Sequence, residues 1–129
     1  MGCDIHGWVE KRAADKWVAF SELKDRGRNY ERFANLAGVR GAGPEPKGIP
    51  PDASDTVKLR IERDGSDGHS HSFLGIEDAY KIFRSTTSEE FYSYYDAFGI
   101  DDDRDLKNRC KECGSIRGSE FRLVFWFDN

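Results

Sequence analysis

The last ten residues of the chain, EFRLVFWFDN, are the stretch that most constrains its fold. In an extended backbone, Phe121, Leu123, Phe125 and Phe127 share one face, and residues 124, 126 and 128 share the other. A run this apolar needs a central position in a sheet. The stretch therefore predicts a central strand beside the first strands of the chain.

Residues 3–22 predict a β-hairpin. The sequence CDIHGWVEKR alternates, with Ile5, Gly7 and Val9 on one face and residues 4, 6, 8 and 10 on the other. AADK then forms a turn, and WVAFSEL forms the second strand. The hairpin and the C-terminal strand together predict a small sheet.

Helical spacing of apolar residues predicts three helices, around residues 30–37, 76–85 and 86–98. The third begins in a capping box at TTSEE and ends at Gly99. Residues 41–53 hold all four prolines, which indicates a binding loop or a mobile flap. Residues 55–63, DTVKLRIER, are ambiguous: Val57, Leu59 and Ile61 alternate as in a strand, whereas Ser54 suits a helix cap. Their β-branched content favours the strand.

Length and composition bound the class of protein. With 129 residues and 37% hydrophobic content, the chain predicts a single domain over residues 1–129 with its own core. The fold class is α+β: a small, mostly antiparallel sheet with about three helices. A net charge of −4 disfavours nucleic acid as the main partner. No apolar run suits a membrane, and the chain lacks a signal-peptide pattern, so we expect a cytoplasmic protein.

All three histidines lie in two short stretches, MGCDIH and DGHSHS. Residues i and i+2 of a strand point the same way, so each stretch presents two polar groups side by side. His–Asp sets of this kind bind zinc, manganese or iron. The alternative is a polar strand face and a solvated loop. The predicted metal ligands are Asp4, His6, His69, His71 and Asp128.

Two further motifs have weaker signals. Cys110 and Cys113, in CKECG, make one half of a zinc knuckle, and two free thiols are an equally good interpretation. Arg28 and Tyr30 lie at a predicted helix start, where a phosphate or other anion can bind. The alternative there is a solvated first turn with Tyr30 in the core.

Five blocks together resemble a family of short proteins encoded by bacteriophages and prophages: MGCDIHGWVEKR, RNYERFANLAGVRG, GIPPDAS, DGHSHSFL and VFWFDN. The resemblance covers most of the chain outside residues 13–25 and 84–118. It implies a small intracellular phage accessory protein, and CKEC is not part of the pattern. The residues that it places in the shared pattern are Cys3, Asp4, His6, Arg28, Asn29, Tyr30, His69, His71 and Asp128.

Three functions follow as expectations. The first is a metal-binding phage protein that binds and inhibits a host component, such as a CRISPR or other defence effector. The second is a metal-dependent hydrolase of a phosphate ester or nucleotide, with Arg28 holding the anion. The third is a protein that sequesters a signalling nucleotide at Arg28 and Tyr30 without turnover. The sequence leaves open whether the chain is an enzyme and how many copies assemble.

Overall fold

A computed structural model describes residues 2–24, 27–91, 94–99 and 121–128. The strands are β1 (Asp4–Ala13), β2 (Lys16–Glu22), β3 (Gly68–Gly75) and β4 (Phe121–Asp128). The helices are α1 (Tyr30–Ala37), α2 (Asp55–Asp64), α3 (Ile76–Ser85) and α4 (Tyr94–Phe98), and a 3₁₀ turn at Gly65–Asp67 follows α2. The predicted α+β fold is confirmed.

The four strands form one antiparallel sheet in the order β2-β1-β4-β3. Strand β4 is central, as its sequence predicts, and every residue from Phe121 to Phe127 is buried. It pairs with β1 in a register that sets Asp128 opposite Asp4 and Trp126 opposite His6. The last residues of β4 therefore lie beside the first residues of β1.

Each face of the sheet is covered by helices. The larger core lies on the face of Val9, Leu123 and Phe125, under α1, α3 and α4. A smaller core lies on the face of Val124 and Trp126, under α2. Both faces of β4 are buried because both have a helical layer, which explains its almost unbroken apolar sequence.

Both edge strands contain a β-bulge, an extra residue that interrupts regular pairing. In β2 the partner of Val9 is Ser21 and the partner of Glu10 is Ala19, which leaves Phe20 as the extra residue. In β3, pairing is interrupted between His69 and Ser72. Segment 41–53 has no helix or strand, as predicted, and its Gly48 N–H donates to the His71 carbonyl at 2.8 Å.

Residues 55–64 form helix α2, so the preference for a strand at residues 55–63 is wrong. The alternative signal was the correct one: the Ser54 hydroxyl caps the helix by accepting from the Val57 backbone N–H at 3.3 Å. Val57 and Ile61, one helical turn apart, pack against the smaller core, whereas Leu59 is 65% exposed. A helix buries residues i and i+4, so Leu59 does not contribute to the core.

The aromatic helix predicted for residues 86–98 is also shorter than expected. Thr86 caps the C-terminal end of α3, residues 87–91 are not helical, and α4 spans Tyr94–Phe98 within the described residues. The Thr86 hydroxyl donates to the Ile82 carbonyl at 2.7 Å, so it completes α3 and does not begin a new helix.

A buried ion network fixes the start of α2 to the sheet. Glu10 is fully buried, and its carboxylate accepts from the Arg122 Nε at 2.7 Å and from the Ser54 backbone N–H at 2.7 Å. Arg122 also donates to the Asp52 carboxylate at 2.9 Å. Each carboxylate oxygen of Glu10 thus has a partner, which a buried charge requires.

Ala14, in the turn between β1 and β2, has a φ of 59°, a left-handed conformation that a Cβ disfavours. We expect Ala14→Gly to raise the free energy of unfolding by about 1 kcal/mol, because glycine adopts this φ without steric cost. Urea unfolding followed by circular dichroism measures it. Ala13→Gly, at the adjacent strand position, is the control and should be destabilising. Equal effects of the two changes would contradict the assignment of strain to Ala14.

Arg122→Met leaves the buried Glu10 carboxylate without its cationic partner. We expect a loss of about 3–5 kcal/mol in the free energy of unfolding. The matched control is Arg60→Met, because Arg60 pairs with the exposed Glu22 at 3.2 Å. That change should cost less than about 1 kcal/mol. Similar losses of unfolding free energy in the two variants would show that the buried Glu10–Arg122 pair contributes no more to stability than the exposed Arg60–Glu22 pair.

Candidate functional site at one end of the sheet

The candidate site lies where β1 begins and β4 ends. Asp4 and His6 project from the same face of β1, and Asp128 stands opposite Asp4 on β4. This is the face that α2 covers further along the strands. Alternation and antiparallel pairing therefore bring three of the predicted residues, Asp4, His6 and Asp128, together.

His6 and Asp128 form a close pair. The His6 Nε2 lies 2.7 Å from the Asp128 Oδ2, and the two side chains are 32% and 30% exposed. A carboxylate at this distance favours the tautomer with the proton on Nε2, which leaves the lone pair on Nδ1. The imidazole is therefore oriented by Asp128 and still accessible to solvent.

Arg28 forms the second pair at this end. Its Nε donates to the Asp4 carboxylate at 3.0 Å, and this bond, more than the nearby charges, holds the Asp4 pKa below its ordinary value. The guanidinium passes directly over Gly2, where a Cβ would collide with it. Glycine at position 2 therefore leaves the space that Arg28 occupies.

The ring of Trp126 lies between two imidazoles on this face. Its centroid is 6.2 Å from the ring of His6 and 6.2 Å from the ring of His71. The Trp126 indole N–H donates to Asp64, at the end of α2, at 2.6 Å. The Nε2 of His71 is buried, and it has no hydrogen-bond partner among the described residues. His71 is thus separated from His6 by a buried indole.

His69 lies on the opposite face of the sheet, because the bulge sets both Ser70 and His71 against Trp126. The His69 ring contacts Phe127 at 6.2 Å, and its Nε2 lies 4.0 Å from the sulfur of the buried Cys3. Burial raises the pKa of the Cys3 thiol. The expectation that H-x-H directs both imidazoles at one point is wrong, since the alternation on which it rests is interrupted at Ser70.

Tyr30 contacts the start of β1 differently from Arg28. Its hydroxyl accepts from the Cys3 backbone N–H at 3.4 Å, and the Arg40 guanidinium lies 4.8 Å from the centre of its ring. Tyr30 packs against the larger core, as the alternative interpretation had it. Of the predicted anion-binding pair, Arg28 is the member that contacts the candidate site, through its bond to Asp4.

The predicted metal ligands are divided among three environments: Asp4, His6 and Asp128 at the sheet end, His71 beyond Trp126, and His69 on the other face. Within the described residues, no group of three or more His, Cys, Asp or Glu side chains is arranged to hold a metal ion. Asp4 contacts Arg28, and Asp128 contacts His6. A bound zinc, manganese or iron ion stays a prediction, as does the zinc knuckle, because Cys110 and Cys113 lie outside the described residues.

No protein-family model, no curated protein and no solved structure matches the chain. The resemblance to phage-encoded proteins therefore stays a prediction. None of the helices in the described part of the chain is long and apolar enough to cross a membrane.

Two parts of the arrangement escaped the sequence analysis. The Glu10–Arg122 pair is one. Its sequence signal is an acidic residue in β1 and a basic residue in β4, and the register that sets residues 10 and 122 opposite each other comes from the structure. The bond from Trp126 to Asp64 is the other. It depends on α2 crossing the sheet, which alternation within a strand does not predict.

The pKa of His71 is lowered from its ordinary value of 6.5, chiefly by burial and then by the nearby His69, with Asp64 opposing. Below pH 6.5 the His71 imidazole is protonated more readily in the unfolded chain than in the folded chain. The free energy of unfolding should therefore fall as pH decreases. Urea unfolding between pH 7.5 and about 5 measures this. His71→Gln should flatten the dependence. A variant that keeps the full slope would assign the effect to other groups.

Proposed function

We propose that the end of the sheet formed by Asp4, His6, Arg28 and Asp128 binds a phosphate ester or nucleotide and hydrolyses it. The observation that carries the proposal is the His6–Asp128 bond of 2.7 Å beside the Arg28–Asp4 bond of 3.0 Å. An imidazole oriented by a carboxylate and a guanidinium paired with Asp4, both partly exposed at one end of the sheet, are groups that can serve phosphate-ester hydrolysis.

In the proposed reaction His6 is the general base. Its Nδ1 takes a proton from water while the water oxygen attacks phosphorus and the bond to the ester oxygen breaks. The leaving oxygen then receives a proton, from the imidazolium or from solvent. Asp128 stabilises the imidazolium that forms, as a carboxylate does in other acid–base pairs. Arg28 balances the charge that develops on the non-bridging oxygens.

A divalent ion was part of the expectation for this reaction. The donors do not converge as they stand, and recruiting Asp4 would require it to exchange Arg28 for the ion. We therefore assign no step to a metal. Elemental analysis of the purified protein, with titration of Zn²⁺, Mn²⁺ and Fe²⁺, tests the metal independently of activity.

Replacing His6 by Gln or Asp128 by Asn should lower kcat/KM for bis(4-nitrophenyl) phosphate and a nucleotide panel by about 10²–10⁴-fold, because the general base is removed or misoriented. Arg28→Ala should raise KM. The matched control is His69→Gln, the same substitution on the opposite face of the sheet, which should leave both parameters unchanged. Circular dichroism establishes that each variant is folded.

The results separate the candidate activities. Turnover that persists in His6→Gln contradicts the acid–base assignment. Tight nucleotide binding without turnover in the wild type would replace hydrolysis with sequestration. If no phosphate compound is bound or cleaved, with or without added metal, the proposal fails.

A second candidate function is inhibition of a host protein such as a CRISPR effector. The observation that favours it is a cleft of about 460 Å³ beside β2, at the end of the sheet remote from His6. The test is whether expression of the protein protects an invading plasmid from destruction in cells that carry a CRISPR or other defence system. If the His6→Gln variant still protects the plasmid, inhibition of the host protein is separate from hydrolysis. If the wild-type protein protects against none of the systems tried, inhibition of those systems is excluded.

A further inference from the structure

The cleft beside β2 has a strand edge as one wall and the start of α2 as the other. It is lined by residues 16–19 of β2 and by residues 52–56. Four consecutive strand residues point alternately to the two faces of a sheet, so a cleft lined by all four reaches the backbone edge between them. A segment bound there can contact main-chain N–H and C=O groups as well as side chains.

The two edges of the sheet differ in how they are covered. At β3, segment 41–53 lies alongside the strand: the Gly48 N–H donates to the His71 carbonyl, and the Lys47 N–H donates to the Ser72 hydroxyl at 3.0 Å. Within the described residues, β2 has β1 as its strand neighbour on one side, and on the other side no strand pairs with it. Unpaired strand edges are sites at which another chain adds as a strand.

The pairing of β2 with β1 defines the length of the usable edge. From Lys16 to Ala19 the register with β1 is regular, and the bulge at Phe20 then interrupts it. A bulge ends the repeat of edge N–H and C=O groups that an added strand would follow. An added strand therefore matches about four residues of β2, the same four that line the cleft.

The opposite wall is held rigidly and is acidic. Asp52 and Ser54 are bonded to the buried Arg122–Glu10 pair, so the start of α2 is fixed relative to the sheet. The Asp52 carboxylate is 60% exposed despite its bond to Arg122, and Asp55 is exposed in the first turn of α2. A preformed cleft avoids the entropic cost of ordering a loop on binding. Two carboxylates on this wall favour a basic side chain, whereas Lys16, on the strand wall of the same cleft, repels a basic side chain that approaches from that side.

We propose that this cleft binds an extended segment of a partner protein, which adds to residues 16–19 as a fifth strand and directs a Lys or Arg side chain at Asp52 and Asp55. The proposal is independent of the chemistry at His6 and gives the second candidate function its contact surface. The net charge of −4 agrees with a basic partner.

The test uses a library of random dodecapeptides displayed on filamentous phage, selected against the wild-type protein and then measured as synthetic peptides. We expect the selected peptides to contain Lys or Arg, and Asp55→Lys to weaken their binding at least about tenfold through like-charge repulsion. The matched control is Glu62→Lys, the same charge change on the same helix but outside the cleft, which should bind as wild type does. Circular dichroism confirms the fold of both variants.

A second measurement tests the added strand itself. N-methylation of alternate backbone amides of a selected peptide should abolish binding, because strand addition uses backbone N–H groups. Amide resonances of residues 16–19 should shift on titration. Failure to select any peptide, equal binding to Asp55→Lys and Glu62→Lys, or indifference to N-methylation at every position would overturn the proposal. Because His6→Gln should bind these peptides normally and Asp55→Lys should keep any hydrolytic activity, failure of one proposal leaves the other testable.

Discussion

The pairing of β4 with a strand on each side and a helical layer on each face is the constraint on which the rest of the structure depends. Seven consecutive buried residues, Phe121–Phe127, can exist only where both backbone edges are paired and both faces are covered. Three described helices lie over one face and α2 lies over the other. The position of α2 in turn decides which polar residues are buried and which stay accessible.

On the face of the sheet that α2 covers, β1 and β4 contain two polar pairs that differ in how deeply they are buried. Toward one end, Glu10 and Arg122 are enclosed by the start of α2, where their charges are matched and hold the helix in place. Toward the other end, His6 and Asp128 form a similar acid–base contact but are about one-third exposed. The first pair therefore stabilises the fold, and the second stays accessible to solvent, although both arise from pairing across β1 and β4.

Much of this arrangement can be predicted from the two-residue alternation of side chains along a strand. The predictions that are wrong concern segments in which that alternation does not hold. Alternation predicted the hairpin and the central strand beside it. It failed at Val57, Leu59 and Ile61, because three apolar residues at i, i+2 and i+4 suit both a strand and one face of a helix plus an exposed residue. It failed again at His69 and His71, because a bulge depends on tertiary pairing and Ser70 gives no local sign of its φ of 57°.

The charges at the candidate site limit what kind of ligand can bind there. Asp4 pairs with the Arg28 guanidinium, and Asp128 is bonded to the His6 imidazole, so each carboxylate already has a partner. An anion gains from Arg28 and is repelled by Asp4 unless it approaches on the guanidinium side. A cation gains from both carboxylates but must displace Arg28 from Asp4. Anion and cation therefore differ in whether the Arg28–Asp4 pair is kept: an anion binds beside the pair, and a cation replaces Arg28 at Asp4.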